Sequence, residues 1–187
     1  ESKKKVVVLS SSNNPEIEAN IRECENNKVP ILRRRGGGGT VVLGEGCLIL
    51  TCAFYAKDIF SNAKYFHMIN DLWIQALQPF VPAHLKQNGI ICCGEKKIAG
   101  TSIFRKKHLL VYQGSMLIDV DINSISGLLA HPSKEPSYRQ GRSHEDFLTT
   151  LKQLGCQLSA QDLTLHCQDY FNQNIEKHLK NDFLEII

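Results

Sequence analysis

The chain has 187 residues, 42% of them hydrophobic and 22% charged, which is enough length and apolar content to bury the core of one globular domain. A net charge of +3 suits an acidic protein partner and is too weak to argue for nucleic acid. Lys3-Lys4-Lys5 precede only Val6 to Leu9 before Ser10-Ser11-Ser12, far short of a signal-peptide core or a spanning helix, so no membrane role is expected.

The first β-type run is Val6 to Leu9, followed by Asn14-Pro15. Val29 to Leu32 form a second run, which leads into Arg33-Arg34-Arg35-Gly36-Gly37-Gly38-Gly39-Thr40, and Val41 to Leu43 and Leu48 to Tyr55 lead out. Four glycines without Cβ atoms let the backbone approach a ligand closely and aim several N–H groups at one anion. The adjacent guanidinium groups offer forked donors to phosphate or carboxylate. The segment reads as an anion cradle. It is no nucleoside-triphosphate P-loop, because no Gly-Lys-Ser/Thr closes it. A Rossmann turn is disfavoured too, because the β-branched Thr40-Val41-Val42 follows where a helix should begin. A flexible hairpin tip with solvated arginines, or an arginine-glycine segment held to RNA by charge, stays open.

Residues 63 to 78 place Phe66, Ile69, Leu72, Trp73, Ala76 and Leu77 at three- and four-residue spacing, a helical core stripe stopped by Pro79. Gly94-Glu95-Lys96-Lys97 reads as a turn between the strands Ile90 to Cys93 and Ile98 to Phe104, which puts Lys97 at a strand mouth. By composition alone such a lysine is a solvated turn residue. Beyond the polar corner Arg105 to His108 come Leu109 to Tyr112, Gln113-Gly114-Ser115 and Met116 to Ile118. A glycine within such a run marks a bulge or a place where a ligand passes close. Ser143, with Asp146 after it, is expected to cap a helix through Leu154 with Phe147, Leu148 and Leu151 facing inward, and Ser159 to cap the last helix. Seven cysteines occur without any CxxC spacing, and neighbouring Cys92 and Cys93 cannot easily bridge. Reduced thiols in a cytoplasmic protein and no structural metal are expected.

Asn14-Pro15 after the first strand, the block Arg33 to Val42, Lys97-Ile98-Ala99-Gly100 and Gln113-Gly114-Ser115-Met116-Leu117-Ile118-Asp119 together resemble the lipoate-protein ligase family in order and spacing. Ser133 to His144 resembles a segment of one branch of these ligases. The likeness spans about residues 6 to 151. It implies an α+β fold, a mixed β-sheet flanked by helices, shared with biotin-protein ligases and class II aminoacyl-tRNA synthetases. It further implies a single catalytic domain over residues 1–187 that lacks the family's first helix and strand and has no accessory C-terminal domain. A fragment, a partner-dependent enzyme or an inactive relative are all compatible with those truncations.

The implied reaction has two steps. ATP and lipoate, or octanoate, give an acyl-adenylate and pyrophosphate, and a lysine of a lipoyl domain then takes the acyl group. Carried over by position, Lys97 is the catalytic lysine. Arg34, Gly37, Gly38, Gly39, Thr40, Gly100, Gln113 and Gly114 are substrate- and nucleotide-binding. ATP would come with Mg²⁺, and the acceptor would be the lipoyl domain of a 2-oxoacid dehydrogenase or the glycine cleavage H protein. Arg139 and Arg142 are expected to be solvated, with a loop closing over an adenylate as the alternative.

The chemistry fits those residue types. Acyl-phosphate anhydride formation passes through oxygen-rich states that need fixed donors more than a protein nucleophile. Three departures from the family pattern stand out: Gly36 where members carry serine or threonine, Leu43 where they carry histidine, and Gln113 where they carry another. Gln113 donates a hydrogen bond but relays no proton. Two other readings remain, a transferase working through a thioester on Cys92 or Cys93, and a non-catalytic carrier-binding relative. The ligase reading requires the tetraglycine hairpin and the Lys97 amine to converge on one cleft.

Overall fold

The computed structural model describes residues 4–179 and 183–186. The chain opens with strand β1 (Val6–Leu9), then two short helices, α1 (Pro15–Glu18) and α2 (Ile21–Asn26). Asn14 caps α1, its side chain accepting from the Glu16 N–H at 3.1 Å, and Pro15 takes the first helical position where its missing N–H costs nothing. These helices carry the chain back to β2 (Ile31–Arg33), which lies parallel to β1. Strand β3 (Val41–Leu43) then pairs antiparallel on the other side of β1. The sheet order is therefore β2-β1-β3. This corrects the hairpin expected around the tetraglycine: β2 and β3 do not pair with each other, and the loop crosses over the end of β1.

The second sheet is antiparallel throughout. Strand β4 (Cys47–Ala56) leads into helix α3 (Asn62–Leu77), and β5 (Ala83–Lys86), β6 (Ile90–Cys93), β7 (Lys96–Lys106) and β8 (Leu109–Leu117) follow as a meander. Helix α4 (Ile122–Leu128), helix α5 (His144–Phe147), helix α6 (Ala160–Leu179) and strand β9 (Phe183–Ile186) complete the chain, in a sheet order β5-β6-β7-β8-β4-β9. The expected α+β class holds, the small sheet being mixed and the large one antiparallel.

Alternation along β8 sets the faces of the large sheet. Leu110, Tyr112, Gly114 and Met116 turn toward α3, whose Tyr65, Ile69, Leu72, Trp73, Ala76 and Leu77 are buried against them. Asn70 is fully buried there and is satisfied: its amide donates to the Phe66 carbonyl at 2.7 Å and its oxygen accepts from Tyr112 and Thr101, both at 3.0 Å. Helix α6 packs beside α3, its start capped by Ser159, which accepts from the Asp162 N–H at 3.1 Å. A second core joins the small sheet to α2, α4 and α5 through Val7, Val42, Ile125, Leu128 and Phe147.

Two further expectations change. Ser143 does cap a helix, accepting from the Asp146 N–H at 3.1 Å, but that helix ends at Phe147 instead of running to Leu154. Leu148 bridges to Lys97, and the Thr149 N–H donates to the Lys97 carbonyl at 3.0 Å, so the backbone bonds that would extend the helix go to the sheet. Strand β9, at the end of the chain, was not foreseen. It pairs with the outer edge of β4 at Phe54 to Ala56.

Candidate active site

The glycine loop is built around Arg34. Its backbone N–H donates to the Leu9 carbonyl at 2.9 Å, which continues the β1–β2 pairing into the loop. Its guanidinium turns inward: Nη2 donates to the carbonyls of Gly37 at 2.6 Å and Gly39 at 2.8 Å, and Nη1 to Val8 at 3.3 Å. One cation thus holds the carbonyls of the loop, and burial lowers the guanidinium's proton affinity. Arg33 holds the preceding turn, donating to the carbonyls of Ser10, Ser11 and Asn13 at 2.7, 3.2 and 2.8 Å. Gly38 needs glycine because its φ is +93°. Gly37 and Gly39 have no heavy atom within 4 Å of where a Cβ would stand, so that side of the loop is open. At the far end Thr40 accepts from the Asn13 amide at 2.9 Å and donates to Glu18 at 3.3 Å. Glu18, itself buried, also accepts from the backbone N–H and the hydroxyl of Ser133. The loop is therefore clamped from inside by Arg34 and at its end by Glu18.

Lys97 enters from the start of β7 and folds its side chain back over the strand. A Cβ on Gly100 would lie 3.0 Å from Lys97 Nζ, so the ammonium occupies the space that Gly100 leaves empty. No carboxylate among the described residues pairs with it. Burial foremost, then the nearby charges of Arg139 and Arg34, push its pKa down to about 8, with Cys92 acting in the opposite sense. Two residues further along the same face, Ser102 Oγ lies 3.0 Å from the Cβ position of Gly36. The Lys97 ammonium and the glycine loop consequently share one face of β7, and the Arg34 charge acts on Lys97.

Gln113 lies opposite Ser102 in the register and Ser115 opposite Gly100, so both belong to this face. Gly114 does not. A Cβ there would fall inside the Trp73 ring on the other side of the sheet, and the β4–β8 and β7–β8 registers run unbroken past it. The close neighbour that this glycine admits is a core indole.

The third wall differs from the solvated arginines expected from sequence. Arg139 is only 5% exposed, and it stacks with Arg142 on the Phe147 ring at 4.7 and 5.2 Å. The two arginines exchange bonds, each Nε donating to the other's carbonyl at 2.9 and 3.0 Å. Arg142 also donates to Tyr138 and Glu95 carbonyls at 2.7 and 3.1 Å, and Glu135 approaches Arg139 at 3.5 Å. Arg139 Nη2 is buried without a partner. The signal in the sequence was Gln140-Gly141, both left-handed at φ 53° and 71°, which makes the chain double back and lay both guanidiniums on one ring.

Cys92 faces Lys97 across the β6–β7 pairing, with its thiol 3.5 Å from the Tyr138 hydroxyl. Burial raises its pKa, and that of Cys93 rises to about 11, so neither is an activated thiolate. None of the seven cysteines is disulfide-bonded. Among the described residues no three His, Cys, Asp or Glu side chains gather as metal ligands, and no helix is long and apolar enough to cross a membrane.

Comparison with known proteins agrees with this architecture. A Schizosaccharomyces pombe relative, named for lipoate-protein ligase A, is 30% identical over 131 residues, covering 68% of this chain and 34% of the relative. The inactive lipoate–protein ligase 2 of Plasmodium falciparum is 23% identical over 218 residues, covering 95% of this chain and 54% of its own length. The chain thus spans from about a third to about half of these curated relatives. Among solved structures, a bipartite lipoate protein ligase of Thermoplasma acidophilum superposes with a TM-score of 0.81 at 19% identity, over 92% of this chain and 68% of that one. A lipoate-protein ligase A bound with ATP gives 0.75 at 20% identity, over 92% and 70%. A biotin protein ligase of Aquifex aeolicus gives 0.54 at 15% identity, over 94% and 70%. At those identities the superpositions speak to the fold. The sequence profile of the lipoyl protein ligase A/B catalytic domain matches residues 2–172, nearly the whole chain, and the chain belongs to that family.

Proposed function

We propose that this domain is the catalytic part of an ATP-dependent lipoate-protein ligase. The observation that carries the reading is the Lys97 ammonium, desolvated and unmatched by any carboxylate among the described residues, on the same strand face as a glycine loop open at Gly37 and Gly39. A compact, desolvated cation left without a counter-ion favours an anionic ligand. In the first step a carboxylate oxygen of lipoate or octanoate attacks the α-phosphorus of ATP, the bond to the β-phosphate breaks, and pyrophosphate leaves. In the second, the ε-amine of an acceptor lysine attacks the acyl carbon, the bond to AMP breaks, and the amine gives up a proton. Lys97 holds the oxygen charge that develops in both steps. Gly37 to Gly39 admit the acyl-phosphate without side-chain contact, Thr40 and Arg34 fix the loop, and Gln113 offers a neutral donor beside it. Arg34 works through the loop carbonyls it holds, a more indirect role than anchoring a phosphate.

Mg²⁺ is assigned to the triphosphate, since the described side chains offer no ligand cluster of their own. A relative bound with ATP, another with lipoic acid, and a neighbour described together with its E2 lipoyl domain support the choice of substrates and of a lipoyl-domain acceptor. Cysteines that form no disulfide support a cytoplasmic setting. The raised thiol pKa values weigh against the thioester transferase. One observation favours a non-catalytic relative instead: the inactive Plasmodium protein matches 95% of the chain.

The test is to offer ATP, Mg²⁺, lipoate or octanoate and a lipoyl domain, following pyrophosphate release and acceptor mass. An ATP-dependent mass gain is expected. Lys97→Ala should abolish the transfer while melting as a folded protein, and normal turnover by that variant would refute the role of Lys97. Acyl transfer without ATP would point to the transferase, and binding of the lipoyl domain without either product to the inactive relative.

A further inference from the structure

Gly36 and Ser102 meet where the glycine loop crosses β7. A Cβ on Gly36 would stand 3.0 Å from Ser102 Oγ and 3.6 Å from Ser102 Cβ, so the hydroxyl points at the loop and fills the space that a side chain at position 36 would need. A side chain at 36 would need the Ser102 hydroxyl to give way by a few tenths of an ångström. Ser102 Oγ has no hydrogen-bond partner among the described residues, and the residue is half-buried on the face of β7 that carries Gly100. A hydroxyl in such a place donates to water or to a ligand.

Its neighbours narrow down that ligand. Gly100, which the Lys97 ammonium covers, lies two residues away on the same face, roughly 7 Å along a strand. Gln113 stands directly across on β8, and the open side of the loop at Gly37 adjoins Gly36. A cation and two neutral donors that distance apart match the two ends of a mixed anhydride, with phosphate at one and acyl oxygen at the other. Resting on the ligase reading above, we infer that Ser102 is a substrate-binding hydroxyl whose Oγ–H donates to the acyl carboxylate oxygen, supplying from β7 the hydroxyl that the loop lacks at Gly36.

The test uses octanoate as the probe. Its affinity is measured by calorimetry without ATP, and KM for octanoate and for ATP is measured in pyrophosphate release, for the wild type, Ser102→Ala, Gly36→Ser and the double variant Gly36→Ser/Ser102→Gly. Ser102→Ala is expected to weaken octanoate binding about tenfold, the loss of one hydrogen bond to a charged group, with the ATP KM and melting temperature unchanged. Gly36→Ser should lower the melting temperature and weaken octanoate, because its side chain meets the Ser102 hydroxyl. The double variant should recover both, since the hydroxyl returns from the loop side and the clash is gone. Octanoate binding by Ser102→Ala equal to that of the wild type, or a double variant no better than Gly36→Ser, overturns the inference alone. A wild-type protein that neither binds octanoate nor releases pyrophosphate overturns the functional reading and this inference with it.

Discussion

The unmatched charge of Lys97 has a stability cost that can be measured without any substrate. Its pKa falls from 10.5 to about 8 on folding. Because the folded value is the lower one, the unfolded chain binds more protons between about pH 8 and pH 10.5, and the contribution of Lys97 to stability rises with pH across that window. Below pH 8 both states hold the proton and the penalty is complete. That difference sets a ceiling of about 3 kcal/mol, which we discount to about 2 kcal/mol because the residue keeps part of its solvent contact. Lys97→Met removes the charge and keeps most of the side-chain volume. Urea unfolding of wild type and variant at pH 7, 8, 9 and 10 should show the variant more stable by about 2 kcal/mol at pH 7, with the gap closing toward pH 10. Methionine packing adds an offset that does not change with pH, and other titrating groups are common to both proteins, so the slope of the difference is the readout. A gap that stays constant from pH 7 to pH 10 would refute the desolvated ammonium.

Two further outcomes are expected. Gly114→Ala should cost about 3 kcal/mol and shift the emission of the single tryptophan, because the added methyl enters the space of the Trp73 ring, while unchanged stability and fluorescence would mean that Gly114 serves the ligand side. Cys92→Ala should keep acyl transfer within about threefold of wild type, with a loss near that of one buried methylene-sized contact in stability, measured by thermal melting; abolished transfer in a folded Cys92→Ala would revive the thioester mechanism.

How much of this was legible depends on the range of the interactions involved. Strands β1, β4, β6 and β7 and helix α3 follow from local apolar patterning and from the stop at Pro79, and the structure has them within a residue or two. The pairing around the tetraglycine was not legible. Whether β2 pairs with β3 or both pair with β1 is decided by α1 and α2 carrying the chain across, and a glycine run between two β-type segments looks the same in both cases. Gly114 shows the same limit at one residue: sequence reveals that something comes close, and only packing reveals that it is Trp73. The burial of Arg139 is not legible because it depends on the Phe147 ring, the Glu135 carboxylate and a left-handed Gln140-Gly141 turn, none of which changes the polar look of the segment. The helix after Ser143 was overdrawn for a related reason, since its cap is local but its end is set by pairing with Lys97.

The division of labour among Arg34, Arg139 and Lys97 explains why the lysine stands apart. Arg34 and Arg139 are largely committed: the first to the Gly37 and Gly39 carbonyls, the second to the Arg142 carbonyl, the Phe147 face and Glu135. A guanidinium suits that task, because its fork can satisfy several carbonyls at once and stays protonated when buried. Lys97 carries the single compact charge left over, and the two guanidiniums lower its pKa instead of neutralising it. On the proposed ligase reading, pairing it with an internal carboxylate would remove the stability cost but would also fill the position where the substrate's oxygens arrive, and that competing carboxylate would have to be displaced at each turnover. Leaving the ammonium unmatched moves the cost into the resting protein, and an arriving anion then regains it as binding.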